Sequence, residues 1–525
     1  MRRPPAGARL YSGPFARPPG EEGPIARIAT SAGLRGLVSS VAGYGLATAV
    51  SGIVGLAVVP AYTRALGASA YGEYQAAAAV FTLVTGCCMV GLDSAIAVLM
   101  PDHVSGEARG RLVSSLLLLA SLTGLLAALV LFVGGSLAGP ALLGPGAGGL
   151  LALGALVAGP SVLQNVAQAA LRNLTRPGGY LAAAIAAGVG VLAVGLPLVL
   201  GGAGPAGAVA GLAAGAICGA AAAVWGQRDL LRRAGPDPRR IRALLRIGLP
   251  LLPAAVAAWI VSVSDRLLLT QLASLSDVGL YAAAAQIATV PNLGIAAFML
   301  GWTPFALRVQ RAPDAPRLYA VTLSLFAAGG AIVTLLTLPL GVPVLGLISG
   351  PEFAPGGQVV WLLVGSAFAY GGYVMLNVGL MVARRTELIG LVTGSAAGVN
   401  VLLNLVLIPG LGYVGAGIAT LAAYLVSAGA LYVLGQRALP LPYEPLRLLA
   451  IVGGTLAAGM LALAMPSAVL RWLVVLVAAA GLALASLGRL RTAVALVGTT
   501  EAAIRQAGSV DRDDWTRPGE PLGPA

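Results

Sequence analysis

An aspartate and an arginine stand side by side, Asp265-Arg266, in a run (residues 249–272) that carries no other charge. Trp259, Ser262 and the triplet Leu267-Leu268-Leu269 flank the pair. At about 1.5 Å per residue the run is long enough to cross a hydrocarbon core of about 30 Å. A second apolar segment, 278–305, follows a short polar turn. An ionisable group at that depth costs several kcal/mol unless it faces a partner or a wet cavity. Adjacent residues on a helix point in different directions, so the two do not read as one salt bridge. A carboxylate there can carry a coupling proton or sodium ion, and a guanidinium can grip phosphoryl oxygens bidentately. The pair predicts a polar cavity beside this helix.

The elements that position the pair follow from composition. Of 525 residues 58% are hydrophobic and 10% charged, and the mean hydropathy is +0.90, which excludes an ordinary soluble domain. The fold class expected is all-α, a polytopic membrane protein with about fourteen spans, near 36–62, 72–100, 112–136, 148–171, 180–202, 205–226, 249–272, 278–304, 317–339, 358–382, 387–408, 413–435, 448–465 and 468–488. Links rich in arginine alternate with links that have almost none. Seven arginines lie between 228 and 246 and Arg384-Arg385 lie on the same side, whereas only Arg64 and Arg471 fall on the other. The positive-inside rule then places both termini in the cytoplasm.

All 32 basic residues are arginine, and a phosphate loop of the Walker type needs its lysine, so direct ATP hydrolysis is not expected. The single His103 argues against a zinc site, and Cys87, Cys88 and Cys218 read as small space-filling side chains. No metal, cofactor or nucleic-acid partner is expected. Residues 1–35 read as a disordered tail without a signal-peptide core, and 36–62 as an uncleaved signal anchor.

An internal repeat organises the spans. The stretch from Leu66 to Tyr74, with Tyr71-Gly72-Glu73-Tyr74 before an alanine run, resembles that from Leu272 to Tyr281, with Tyr74 matching Tyr281 at an offset of 207. Gly207 matches Gly415 at an offset of 208. Two six-helix halves in the same orientation follow, 36–226 and 249–436. They are joined by a basic amphipathic link, 227–248, suited to anionic lipid. Two further spans, 437–488, and a cytoplasmic tail, 489–525, complete the chain.

Polar side chains recur at helical spacing inside several spans: Gln164, Gln168 and Arg172; Tyr370, Tyr373, Asn377 and Arg384; Tyr281, Gln286, Thr289 and Asn292; Asn400 and Asn404. Each stripe alone also fits helix–helix hydrogen bonding. Together they suggest a hydrophilic interior between the halves, with Arg172 and Arg384 at its cytoplasmic mouth, Arg64 near its outer mouth and Arg266 between. Gln164, Gln168 and Asn377 are candidate hydrogen-bonding groups, and Asp265 and Asp93 candidate ion-coupling carboxylates. Asp93 also fits a helix cap.

The stretch from Asn400 to Thr420, with Asn404, Pro409, Gly412 and Gly415, resembles a signature of the oligosaccharide flippases, the polysaccharide biosynthesis branch of the multidrug/oligosaccharidyl-lipid/polysaccharide exporter superfamily. Arg64-Ala65-Leu66-Gly67 leading to Tyr74, Ser264-Asp265-Arg266 leading to Tyr281, and Trp302-Thr303-Pro304-Phe305 are similar to the same family, which the chain resembles over roughly 36–488. The resemblance implies two helical bundles around a cavity that alternates between inward- and outward-facing states. It implies a passenger too, a polyprenyl-diphosphate-linked oligosaccharide moved across a bacterial cytoplasmic membrane for surface polysaccharide synthesis, with no enzymatic step. A monomer is expected among membrane lipids, with a polysaccharide polymerase or glycosyltransferase as partners. A cation-coupled multidrug antiporter, a lipid II flippase and a membrane polysaccharide polymerase remain open. The polymerase would need a polar catalytic loop, and the longest arginine-poor link offers only Glu352.

Overall fold

In a computed structural model, residues 31–514 are described apart from Val104, Pro145, Gly146 and Arg311. Among them every regular element is helical. The N-terminal tail expected over 1–35 falls outside the described residues up to position 30.

The first half is built from α1 (Ser31–Cys88), α2 (Leu92–Leu99), α3 (Gly106–Leu143), α4 (Ala147–Leu153), α5 (Ala155–Asn173), α6 (Pro177–Gly190), a π turn (Val191–Gly195), α7 (Leu196–Leu200) and α8 (Gly204–Trp225). A short α9 (Arg228–Leu231) leads to the second half. That half comprises α10 (Pro238–Leu272), α11 (Leu275–Val309), α12 (Ala315–Ser349), α13 (Val360–Val382) and α14 (Thr386–Ala438). Two helices follow, α15 (Pro445–Ala464) and α16 (Ala468–Asp514).

Among the described residues eleven helical stretches are long and apolar enough to cross a membrane. Two of these, of 60 and 52 residues, cross twice, because α1 breaks at Gly67 and α14 at Gly412. With α10, which carries the 249–272 segment, the fourteen crossings read from hydropathy all have a helix. The breaks have a stereochemical cause. Gly67 has φ 73° and Gly412 φ 54°, values that a side chain strongly disfavours. Pro409, where the sequence suggests a helix end, lies inside α14 instead; the turn is made three residues later by the glycine.

Two boundaries differ from the sequence reading. Residues 238–248 are no separate surface helix: Pro238 at the first helical turn and the Asp237 side chain, accepting from the Arg239 N–H at 2.9 Å, start a helix that runs unbroken through Leu272. The tail after Gly488 continues α16 to Asp514, since hydropathy falls there but helix-forming residues do not. Arg489 pairs with Glu444 and Arg447 donates to the Ala485 carbonyl at 2.8 Å, fastening α16 to the start of α15. In the link, Arg176 grips both carboxylate oxygens of Asp229 at 2.6 and 2.7 Å, which holds that carboxyl down to about 2.

Packing ties the halves together unevenly. One core runs through the first half and crosses into Leu345, Phe353 and Val360 of the second, toward the arginine-poor end. A separate core around Trp302, Tyr319 and Leu431 consists of second-half residues and Leu441, toward the other end. The most extensive contact between halves joins α1 and α11. It is closest where Gly72 meets Gly279, matched positions of the repeat: a Cβ on Gly72 would overlap the Leu275 carbonyl, and one on Gly279 the Ala68 carbonyl.

Candidate functional site at the seam of the two halves

Helix α10 stands on this seam. Trp259 and Arg266, seven residues apart, share one face. Trp259 lies against Gly86 of α1, and Arg266 is within electrostatic reach of Tyr71 and Tyr74, also of α1. Asp265, one residue round the helix, turns to the second half. The sequence places the two side by side; Asp265 bonds within the second half, while Arg266 is within electrostatic reach of Tyr71 and Tyr74 on one side and of Tyr281 on the other.

Three donors converge on Asp265. The Tyr281 hydroxyl of α11 reaches Oδ2 at 2.6 Å, and the Asn404 amide of α14 reaches Oδ1 at 2.8 Å. Thr420 Oγ1, beyond the break at Gly412, lies 2.8 Å from Oδ2 and 3.0 Å from the Ala416 carbonyl, so its single proton serves one of them. A second layer supports these groups. Ser264 donates to Asn400 Oδ1 at 2.9 Å, and the same oxygen lies 3.1 Å from the Asn404 amide nitrogen. Asn404 Oδ1 is buried without a hydrogen-bond partner among the described residues.

The break in α14 creates this arrangement, since it folds the helix back so that Asn404 and Thr420, on opposite arms, meet one carboxylate. Carboxylate, amide and hydroxyl oxygens are hard ligands, suited to a proton or an alkali cation. Rotating the Asn404 amide would turn its orphaned oxygen toward Asp265. No group of three or more His, Cys, Asp or Glu residues is clustered for a metal among the described residues.

The other candidates lie elsewhere. Arg64 is engaged at the arginine-poor end, where it donates to the Leu347 carbonyl at 2.6 Å, while Glu352 accepts from the Ala68 N–H at 2.9 Å. Both contacts tie the halves shut there. Gln164 packs on Gly219 inside the first half, so its amide faces a fellow helix of that bundle and not the seam. Gln168 is half-buried one turn further along α5. Arg172 is exposed at the end of α5, where its carbonyl accepts from Tyr44 at 3.3 Å. Arg384 is exposed and closes α13 in a left-handed turn, φ 55°. Asn377 Oδ1 is buried without a partner among the described residues. Asp93 occupies the first turn of α2, where a helix N-terminus favours a carboxylate, and is not among the partners of Asp265.

Thr420 is the site residue that sequence reasoning passed over. Its signal is its place four residues before Tyr424 on one face of the returning arm, together with the stripe Asn400, Asn404 on the outgoing one.

Residues 37–310 match the family of polysaccharide biosynthesis proteins. The chain belongs to that family. Comparison with curated proteins yields no match. Solved structures share its architecture. A lipid II flippase, MurJ, in an inward closed conformation, aligns with a TM-score of 0.63 at 15% identity, over 83% of this chain and 97% of that one. An inward-facing multidrug resistance MATE family transporter of the MOP superfamily gives 0.56 at 16% identity, over 77% and 96%. A MOP superfamily transporter from Pyrococcus furiosus gives 0.55 at 15% identity, over 79% and 96%. At these identities the likeness establishes the fold, that of the multidrug/oligosaccharidyl-lipid/polysaccharide transporters. This polysaccharide biosynthesis protein is therefore a multi-pass membrane protein with a transporter fold.

Proposed function

We propose that the chain is a flippase that moves polyprenyl-diphosphate-linked oligosaccharide units from the inner to the outer leaflet of a bacterial cytoplasmic membrane by alternating access. The observation that carries this reading is Arg266, on the seam within electrostatic reach of tyrosines of both halves, while its neighbour Asp265 sits in an oxygen-rich cluster of the second half. A guanidinium between two bundles meets a diphosphate where the bundles part, and the lipid tail stays in the bilayer. The polar headgroup thereby avoids desolvation in hydrocarbon, which costs several kcal/mol for each unpaired polar group.

Asp265 would carry the coupling proton or sodium ion. Arg172 and Arg384, exposed on the arginine-rich side, would face the cytoplasm with both termini. Arg64 and Glu352 would close the outer side. The family match supports a polysaccharide passenger over a cationic drug, and the fold shared with solved transporters supports transport over polymerisation.

The test is translocation in proteoliposomes. A fluorescent polyprenyl-diphosphate oligosaccharide, incorporated on one face, is followed by its exposure to a membrane-impermeant quencher. Wild type is expected to equilibrate the lipid between leaflets, and Arg266→Ala to slow this more than about tenfold, the loss expected from removing a charge-assisted contact. An unchanged rate for Arg266→Ala removes the diphosphate role of that residue. Chain elongation of the labelled sugar by purified protein would replace the flippase reading with a polymerase.

A further inference from the structure

Near the middle of the 23-residue α13, Tyr370 is 45% exposed. Tyrosines at the membrane surface lie where the hydroxyl reaches headgroup water, and a tyrosine at mid-span has no such level to reach. The ring is also turned away from the apolar groove on the other side of α13. That groove is lined by Gly365, Ala369 and Gly372, and at about 100° per residue Tyr370 sits roughly 140° round the helix from Gly365.

Two rings hold Tyr370 in place. Tyr373 stacks at 5.9 Å between centroids with planes 16° apart, and Tyr424 of α14 approaches at 5.3 Å and 58°. Tyr373 is itself anchored: it is 8% exposed and shares a 2.6 Å hydrogen bond with Thr393. Tyr424 lies one turn from Thr420, the residue that reaches Asp265, and is within electrostatic reach of that carboxylate. An aromatic platform thus stands beside the polar cluster, and two turns along the same face Asn377 holds a buried acceptor with no donor among the described residues.

An aromatic face carries partial negative charge and attracts polarised C–H groups, which a pyranose ring presents on its apolar face, while its hydroxyls seek hydrogen bonds around the rim. We propose that Tyr370, backed by Tyr373 and Tyr424, is a stacking subsite for one sugar ring of the passenger. The inference rests on the flippase reading and deepens it, by assigning to α13 the recognition of saccharide apart from the diphosphate met by Arg266.

Two probes separate the possibilities: a polyprenyl diphosphate bearing a trisaccharide, and the same lipid without sugar. Binding of each to the full chain in nanodiscs is measured for wild type and for Tyr370→Ala, Tyr370→Phe and Tyr370→Trp. Alanine is expected to weaken the glycosylated lipid about tenfold and leave the bare lipid unchanged, while Phe and Trp keep wild-type affinity, because the face and not the hydroxyl makes the contact. If alanine lowers the thermal transition, Tyr370→Leu, which keeps volume without a π face, is read in its place. Equal weakening of both lipids, no weakening of either, or a loss with Phe equal to that with alanine overturns the subsite. Wild-type protein that binds both lipids equally overturns the subsite alone. Wild-type protein that binds neither overturns the flippase reading and the subsite with it.

Discussion

Asp265 and Arg266 are legible in the sequence because charge in an apolar run is costly enough to need a reason. Their different surroundings are not, because these depend on what each face of α10 meets. Thr420 shows the limit more sharply: a threonine in a membrane helix ordinarily bonds the carbonyl four residues back, and Thr420 does reach Ala416 in that way. Only the fold adds Asp265 within reach of the same hydroxyl. Asp265→Asn tests the cluster. The amide cannot accept from all three donors, so stability is expected to fall by about 1–3 kcal/mol for a buried donor left unpaired, and transport is expected to become insensitive to an imposed proton or sodium gradient. Lipid translocation measured with each gradient imposed and then collapsed checks this; gradient dependence surviving in the variant would move the coupling group elsewhere.

Among the elements, hydropathy finds the crossings and misplaces some of their ends. A helix boundary is set by caps and backbone angles, so α10 begins eleven residues before its apolar run and α16 outlasts its own. At Gly67 and Gly412 the helices break in conformations suited to glycine, and each break is packed by a carboxylate. An added Cβ would lie 3.2 Å from Glu352 at Gly67 and 3.2 Å from Asp277 at Gly412. Gly67→Ala is therefore expected to cost about 1–3 kcal/mol from the backbone alone, because φ 73° with ψ 173° is a conformation open essentially to glycine. It should lower the thermal transition of the purified protein, whereas the same change at Gly45, in an open stretch of the same helix, should not. Equal transitions for the two variants would show that the break at Gly67 relaxes without strain.

For the molecule as a whole, the repeat read from Tyr74 and Tyr281 acquires a physical meaning at the neighbouring glycines. Gly72 and Gly279 bring two helix backbones together at the arginine-poor end, and Arg64, Glu352 and the edge-to-face pair Tyr71–Phe353 reinforce the closure. The proposed alternating access requires this seam to part. Gly72→Val places branched carbons where the Leu275 carbonyl lies, so it should hold that end open. A cysteine introduced at Ala68, buried in the closed seam, should then react faster with an impermeant maleimide added outside than it does with Gly72 intact. No change in labelling would mean that the contact yields without opening.

The order and apolarity of residues by themselves determined a many-helix membrane protein and its two-half plan, and marked Asp265-Arg266 as a pair that needs polar surroundings, because burial in hydrocarbon penalises charge and exposed backbone wherever they occur along the chain. Tertiary structure alone decided that Gln164 serves the first bundle, that Arg64 fastens the seam, and that Asn404 and Thr420 share one carboxylate with Tyr281. Those outcomes depend on where a helix turns back at a single glycine and which face it then presents. Spacing along one helix constrains its faces, and it carries no information about which neighbour those faces meet.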